Sequence, residues 1–579
     1  MVAKKLKASL IKVFCLVLAV VLALAAAGCK GSSKKKNSKK TGKKNSIVAS
    51  AIDETNSSDS SGIMDDEDED EDEDEQPELI DDSVPKEELE IEELTVYNNK
   101  PIAPFRGVNY IYHPFNYLSD SFGREYTDEM RKLELTRIQK MQPKILRSYY
   151  GSSLSWDAEK QRFDFNSADM QQFYRFCRDM ATANSEIGIF ATWDLKGLIK
   201  EDDGWAGNKS LLSPGLCVPD DLEASVKRFR NFMKDSVLAF KANGVNNIKY
   251  MFAFTECNNT FVTKWDSTVY EQRQFDKLLP IYDKAIRALD GGLKDAGMRQ
   301  QFKIVAPCDA CDGDYDEFGY SMMVRYTIEH LKNQVDIIGS HLSYIRNSED
   351  FTKDVYNELA TEVSLKAISE PKAASMEYWV DETNVNTTDG SKSTALRMAV
   401  SKQSWKGTAL GAAAAGYMEN GVSSFFLWSL SDQAFGGISN GVEWANGLQL
   451  VGFLPSLMVD SVPYNSWYAA ALLSKYLGAG TSYSCDQNLA MYGSCVKRDD
   501  GEFTVAVTNY NFTETILKLS FAESLKGKTL YRHVYDPNTI KATSQAIVPR
   551  VSGVAKNVTS GFYDTIPAGA VVIYTTVKD

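Results

Sequence analysis

From residue 102 the chain alternates short apolar runs with longer stretches of helical periodicity. Candidate strands lie at 106–112 (RGVNYIY), 144–150 (KILRSYY), 187–193 (IGIFATW), 247–255, 302–307, 335–341, 376–382 and 422–428 (GVSSFFLW). Helical patterns fall between them, at 127–141, 167–183, 219–242, 269–296, 316–332, 350–367 and 393–417. The runs are rich in β-branched and aromatic residues with little polar alternation, which suits parallel strands buried on both faces. Eight such strands alternating with helices predict a (β/α)₈ TIM barrel over residues 101–464. The rival, a doubly wound open sheet, would carry a Gly-rich phosphate turn after its first strand, and RGVNYIYHP has none. A helix at 465–477 (NSWYAAALLSKYL) ends the barrel region. Period-two segments with turn signals follow, among them MYGSCVKR, EFTVAVTNY and AVVIYTTV, and predict an antiparallel β-sandwich within 465–579.

The N-terminal hundred residues follow neither pattern. Residues 1–29 join a basic start (Lys4, Lys5, Lys7, Lys12) to an apolar run and then Ala26-Ala27-Gly28-Cys29. This is an export signal. It resembles a bacterial lipoprotein signal, with Ala26 where Leu is usual, which implies lipidation at Cys29 and an anchor on the outer face of the cell membrane. Residues 30–100 contain a Lys cluster and then eleven consecutive acids from Asp65 to Glu75. Like-charge blocks cannot build a core, so this stretch is expected to be a disordered charged tether.

Charge narrows the partners. The net charge is −14, of which residues 1–100 carry 14 Lys against 22 Asp or Glu. The remaining chain is close to neutral, which argues against nucleic acid and is compatible with an uncharged substrate. No protein partner is indicated. Nine cysteines are present, two of them in the signal. Cys485 and Cys495 could bridge neighbouring strands. Cys308 and Cys311 (CDAC) lack a second half that would complete a metal site, so neither metal nor cofactor is expected.

The candidate chemistry stands at the C-terminal ends of the strands, where barrels of this type place their sites. Two aromatic strands end in a carboxylate: NIKYMFAFTECNN at Glu256 and MEYWVDETN at Glu382. Burying such a charge is costly, and a poorly solvated carboxyl can act as a general acid. Alternation points Glu256 with Phe252 and Phe254, and Glu382 with Tyr378 and Val380; Asp381 is expected to face the helices. The other strand ends supply Arg147 and Tyr149, Trp193 and Asp194, His341 with Tyr344 beyond it, and Trp428. Two carboxylates with an Arg, a His, a Tyr and Trp faces on one rim suit glycoside hydrolysis, in which one carboxylic acid protonates the leaving oxygen and an ionised carboxylate attacks carbon or activates water. Arg147 can keep the attacking group ionised.

On these residues the chain resembles clan A of the retaining glycoside hydrolases, over about 102–575, with a trailing sandwich like that of the β-xylosidase and α-iduronidase branch. The resemblance implies that Glu256 is the acid/base and Glu382 the nucleophile. It implies that Arg147, His341 and Trp428 are the strand-two arginine, strand-six histidine and strand-eight tryptophan of that clan. The sequence departs from it at Thr255, where Asn usually contacts the sugar 2-hydroxyl; Asn258 or Asn109 could substitute. His341-Leu-Ser-Tyr344 also differs from a common His-x-Tyr spacing.

The expected activity is therefore hydrolysis of O-glycosidic bonds in polysaccharide or oligosaccharide. A transglycosylase on the same site is one alternative. Thr255 supports another, a catalytically silent carbohydrate-binding lipoprotein. A solute-binding lipoprotein would share the signal, but its two similar α/β lobes do not fit the 477–579 β-region.

Overall fold

The computed structural model describes residues 77–80, 91–112, 127–151, 154–157, 159–160, 162–192, 222–253, 272–310, 322–341, 345–346, 371–386, 404–434, 448–449, 452–455, 460–487, 491–511 and 513–578. Two strands precede the barrel, β1 (Glu78–Ile80) and β2 (Ile91–Phe105). The barrel strands are β3 (Val108–Ile111), β4 (Ile145–Gly151), β5 (Glu186–Thr192), β6 (Ile248–Phe252), β7 (Lys303–Ala310), β8 (Ile337–His341), β9 (Glu377–Thr383) and β10 (Ser424–Leu427). They close in sequence order into an eight-stranded parallel barrel, with β10 pairing β3. The described helices are α1 (Asp128–Met141), α2 (Ala168–Thr182), α3 (Leu222–Ala242), α4 (Gln272–Asp295), α5 (Met322–His330), α6 (Trp405–Glu419) and α7 (Ser466–Tyr476). Thr127 and Ser167 start α1 and α2, their hydroxyls accepting from the amides of Met130 and Met170, which satisfies backbone donors that a helix start leaves open. The helical pattern expected at 350–367 lies outside the described residues.

The barrel interior is a plug of large side chains taken from nearly every strand. Phe252, Trp379 and Phe426 meet ring to ring, with Ile145, Val305 and Ile337 around them. Strand β5 contributes Gly188: a Cβ there would lie 2.2 Å from the Phe252 ring, so the glycine leaves the space that the phenylalanine fills. Alternate residues such as Leu146, Tyr378 and Val380 join the layer beneath the helices.

The second unit of packing is the β-sandwich, one mostly antiparallel ten-stranded sheet with its own core. Its C-terminal strands are β11 (Gly480–Cys485), β12 (Met491–Arg498), β13 (Phe503–Asn509), β14 (Thr515–Phe521), β15 (Lys528–Tyr535), β16 (Val551–Val558), β17 (Gly561–Ile566) and β18 (Val571–Thr575). Their order is β1-β16-β15-β18-β13-β12-β11-β2-β14-β17. Two strands thus come from the N-terminal side, which corrects the expectation that everything before residue 101 is tether. Strand β2 runs antiparallel to β11 and parallel to β14, and buries Leu94 and Val96 in the sandwich core. None of its three charged side chains, Glu92, Glu93 and Lys100, is buried, and that charge disguised it in the sequence. Cys485 and Cys495, proposed as a bridge, are free and buried.

Helices α6 and α7 lie between barrel and sandwich. Residues Lys406 to Met418 of α6 are buried on every side, so its apolar character runs right round the helix. Small residues make this close approach possible: a Cβ on Gly411 would fall 2.2 Å from Thr508 Oγ1 of β13.

Candidate active site

Four side chains meet at the C-terminal end of the barrel: Arg147 on β4, His341 on β8, and Asp381 and Glu382 on β9. All four are buried. Arg147 follows Ile145 into the barrel, and its guanidinium carbon sits 4.8 Å from the centre of the Phe252 ring. From there Nη2 lies 3.3 Å from Asp381 Oδ2 and Nη1 lies 3.6 Å from Glu382 Oε2. Nη1 also donates to the Asp381 carbonyl oxygen. On the far side His341 Nε2 is 3.8 Å from Asp381 Oδ1 and 3.6 Å from Glu382 Oε2. These distances are those of ion pairs rather than hydrogen bonds.

The presence of both carboxylates corrects the alternation argument. Tyr378 and Val380 belong to the helix-facing layer, and Trp379 to the interior. Strict alternation would therefore send Asp381 inward and Glu382 outward, the reverse of the expectation. A β-bulge changes this again. Ser340 pairs with Val380 but His341 with Glu382, and on the other side Val380 pairs with Phe425 but Thr383 with Leu427. Strand β9 thus carries one residue more than either neighbour across Asp381-Glu382. Such an insertion re-aims side chains, and here both carboxylates reach Arg147 and His341. Gly339 makes room for the first of them: a Cβ on it would lie 2.6 Å from Val305 Cγ1 and 3.3 Å from Asp381 Cβ.

Asp381 is the acidic residue that alternation misplaced. The available signal was a charged pair directly after Trp379 in an otherwise apolar run. Depth separates the two: Asp381 is 0% exposed and Glu382 6%. Glu382 is the less deeply buried of the two.

Trp428 stands beside them at the end of β10. Its amide donates to the Thr383 carbonyl at 2.8 Å, and its own carbonyl accepts from Asn384 Nδ2. Its ring meets that of Tyr149 edge-on at 6.3 Å. The two rings and the Glu382 cluster bring together five of the strand-end residues expected from sequence, Arg147, Tyr149, His341, Glu382 and Trp428. Glu256, Thr255, Asn258, Trp193, Asp194, Tyr344 and Cys29 lie outside the described residues. Asn109 is at the other end of the barrel. Its Nδ2 donates to the carbonyls of Arg106 and Gly107 at 3.1 Å and to Ser424 Oγ at 2.9 Å, and its Oδ1 accepts from the Ile145 amide at 2.8 Å. That amide is fully occupied in pinning strand starts, so Asn109 does not substitute for Thr255.

Chemically, a carboxylate flanked by a guanidinium and an imidazole is kept ionised and oriented. Such a group can attack carbon or polarise water.

No family model matches the sequence, and no curated protein matches it. Solved structures do match in fold. A glycoside hydrolase family 30 subfamily 8 xylanase from Clostridium acetobutylicum superposes with a TM-score of 0.52 at 14% identity, over 83% of this chain and 99% of that one. The catalytic domain of a family 30 xylanase from Talaromyces cellulolyticus gives 0.52 at 13% identity, over 84% and 100%. A family 39 enzyme from Xanthomonas axonopodis pv. citri gives 0.51 at 11% identity, over 85% and 99%. The likeness shows the architecture of a (β/α)₈ barrel with an attached β-sandwich.

Proposed function

We propose that this chain is a surface-anchored retaining glycoside hydrolase that cleaves O-glycosidic bonds in a polysaccharide or its oligosaccharides. The observation that carries the reading is Glu382 at the open end of the barrel, between Arg147 and His341. The fold is one that xylanases and an endo-β1,6-glucanase share, which supports the carbohydrate reading and makes xylans and β-1,6-glucans the first substrates to try. Glu382 attacks the anomeric carbon while Glu256 protonates the departing glycosidic oxygen, giving a covalent glycosyl-enzyme. Water then attacks the same carbon, Glu256 takes its proton, and Glu382 leaves. Arg147 and His341 stabilise the carboxylate that is present before attack and after release. Trp428 and Tyr149 offer aromatic faces beside it for a sugar ring. Lipidation of Cys29 holds the enzyme on the outer face of the membrane.

The test is trapping. A panel of aryl glycosides and polysaccharides identifies the sugar, and the matching 2-deoxy-2-fluoro glycoside with a good leaving group is then incubated with the enzyme. Peptide mass spectrometry is expected to find one fluoroglycosyl group on the peptide containing Glu382. Label on another residue overturns the nucleophile assignment. Glycan retention without release of reducing sugar from any substrate overturns the hydrolase in favour of a silent binding protein.

A further inference from the structure

Asp381 is a buried acid to which the two-carboxylate mechanism gives no role. Its carboxylate is fully buried, and neither oxygen accepts a hydrogen bond from the described residues. Removing a charge from water costs on the order of several kcal/mol unless counter-charges face it. The groups that do so among the described residues are Arg147 at 3.3 Å and His341 at 3.8 Å. The same two groups face Glu382. With both carboxylates ionised and Arg147 charged, the cluster carries one excess negative charge, which a proton on His341 cancels.

We propose that Asp381 is a positioning residue for the nucleophile: from beneath the site it holds Arg147 and an imidazolium form of His341 against Glu382. The inference rests on Glu382 being the nucleophile, as proposed above. Arg147 is clamped twice by Asp381, through the backbone carbonyl and through the carboxylate, which holds the Nη1 that donates to that carbonyl 3.6 Å from Glu382 Oε2. The missing side chain of Gly339 leaves room for Asp381 in this position, and the β9 bulge brings Glu382 to the same pair of cations. Other titratable groups near the C-terminal ends of the packed strands are Cys308 and Asp309 on β7 and Tyr149 on β4, with Arg147. Asp309 is a further buried acid and favours the same charged form of His341.

The test reads His341 directly. The chain has four histidines, so ring ¹³C and ¹⁵N signals of untagged protein can be assigned by the loss of one set in His341→Gln. An ordinary imidazole titrates near about 6.5; His341 is expected to stay doubly protonated at pH 7 and titrate at least about one unit higher than that value. In Asp381→Asn, which keeps the volume and removes the charge, the midpoint should fall by about one unit or more. A neutral His341 at pH 7 in the unaltered protein overturns the proposal, whether or not the variant folds. So does an unchanged midpoint in a variant with an unaltered melting curve. Once a substrate is known, Asp381→Asn should lose about 10²-fold in kcat with KM little changed; a wild-type kcat and pH profile also overturn it. Absence of glycosidase activity in the unaltered protein, with the His341 titration as expected, removes the hydrolase reading and leaves the charge arrangement standing.

Discussion

In the proposed mechanism Glu382 is the nucleophile, with Arg147 and His341 favouring its charge, and Glu256 is the acid, a role that requires surroundings opposing its charge. Removing each should therefore give different kinetics. Glu382→Ala is expected to be nearly dead on every substrate, since no covalent intermediate can form. Glu256→Ala should lose about 10²-fold or more on natural glycosides yet still release dinitrophenol from activated glycosides. Its slow second step should accelerate with azide, which needs no general base. Pre-steady-state release of dinitrophenol with and without azide separates these outcomes, and equal loss on both substrate types would remove the acid/base role from Glu256. A second residue gives a stability readout. Lys406 on α6 is buried, 3.2 Å from the Gly452 carbonyl and 4.3 Å above the Phe453 ring, and burial pushes its ammonium down to about 7 against the opposing effect of Asp432. An unfolded lysine titrates near about 10.4. Between those two values the unfolded chain binds the proton and the folded one does not, so this residue makes stability rise with pH. Measured against Lys406→Met, the wild-type melting temperature should gain as pH goes from about 7 towards 10. A constant difference would show that Lys406 keeps its proton in the fold.

At the scale of elements, the run GTALGAAAAG in α6 reads as a poor amphipathic helix, and the structure explains why. The helix has no solvent face. The sandwich approaches it so closely that Gly411 has Thr508 Oγ1 and Val571 Cγ2 where a methyl would stand, at 2.2 and 2.9 Å. Overfilling a packed contact typically costs about 1–3 kcal/mol. Gly411→Ala should lower the melting temperature accordingly. Thr508→Ala removes the nearest clashing atom, so the double variant should be less destabilised than the two single losses combined. Strict additivity in chemical denaturation would mean that helix and sandwich do not meet there. The β9 bulge is the other element-level device. It allows two adjacent residues to share one interior, which regular alternation forbids.

For the whole molecule, the decisive feature is that β2 is an interior strand of the sandwich, paired with β11 and β14. Removing residues 1–76 should leave melting temperature and activity intact. Extending the deletion through residue 105 takes out β1 and β2, strips two edges and uncovers the core around Leu94 and Val96. That variant should be insoluble or rapidly cut by protease. Equal melting of the two truncations would show that β2 is dispensable. The anchor is tested separately. Cys29→Ala should appear in the soluble fraction after signal cleavage, because no described helix is long and apolar enough to cross a membrane. Retention with membranes would end the lipid-anchor reading.

The barrel was legible in the sequence because its signals are local. A buried parallel strand is a short apolar run, an outer helix repeats every few residues, and the strand ends follow from where each run stops. Those signals put Arg147, His341, Glu382 and Trp428 at C-terminal strand ends, where the structure also has them. The sandwich strands after 480 were legible for the same reason. What tertiary structure alone decided was pairing. Whether Glu382 joins Asp381 in the barrel depends on a one-residue shift against His341 and Leu427, on strands contributed by distant parts of the chain. Whether 91–105 is tether or strand depends on partners near 480 and 516, since its charges face outward and only Leu94 and Val96 report the core. Asn109 looks like a sugar ligand in a list of polar residues and becomes a pin for strand starts once Ser424 and Ile145 surround it. Periodicity records which residues are apolar along one segment; register and bulges arise from contacts between segments hundreds of residues apart, and a single sequence holds no local trace of them.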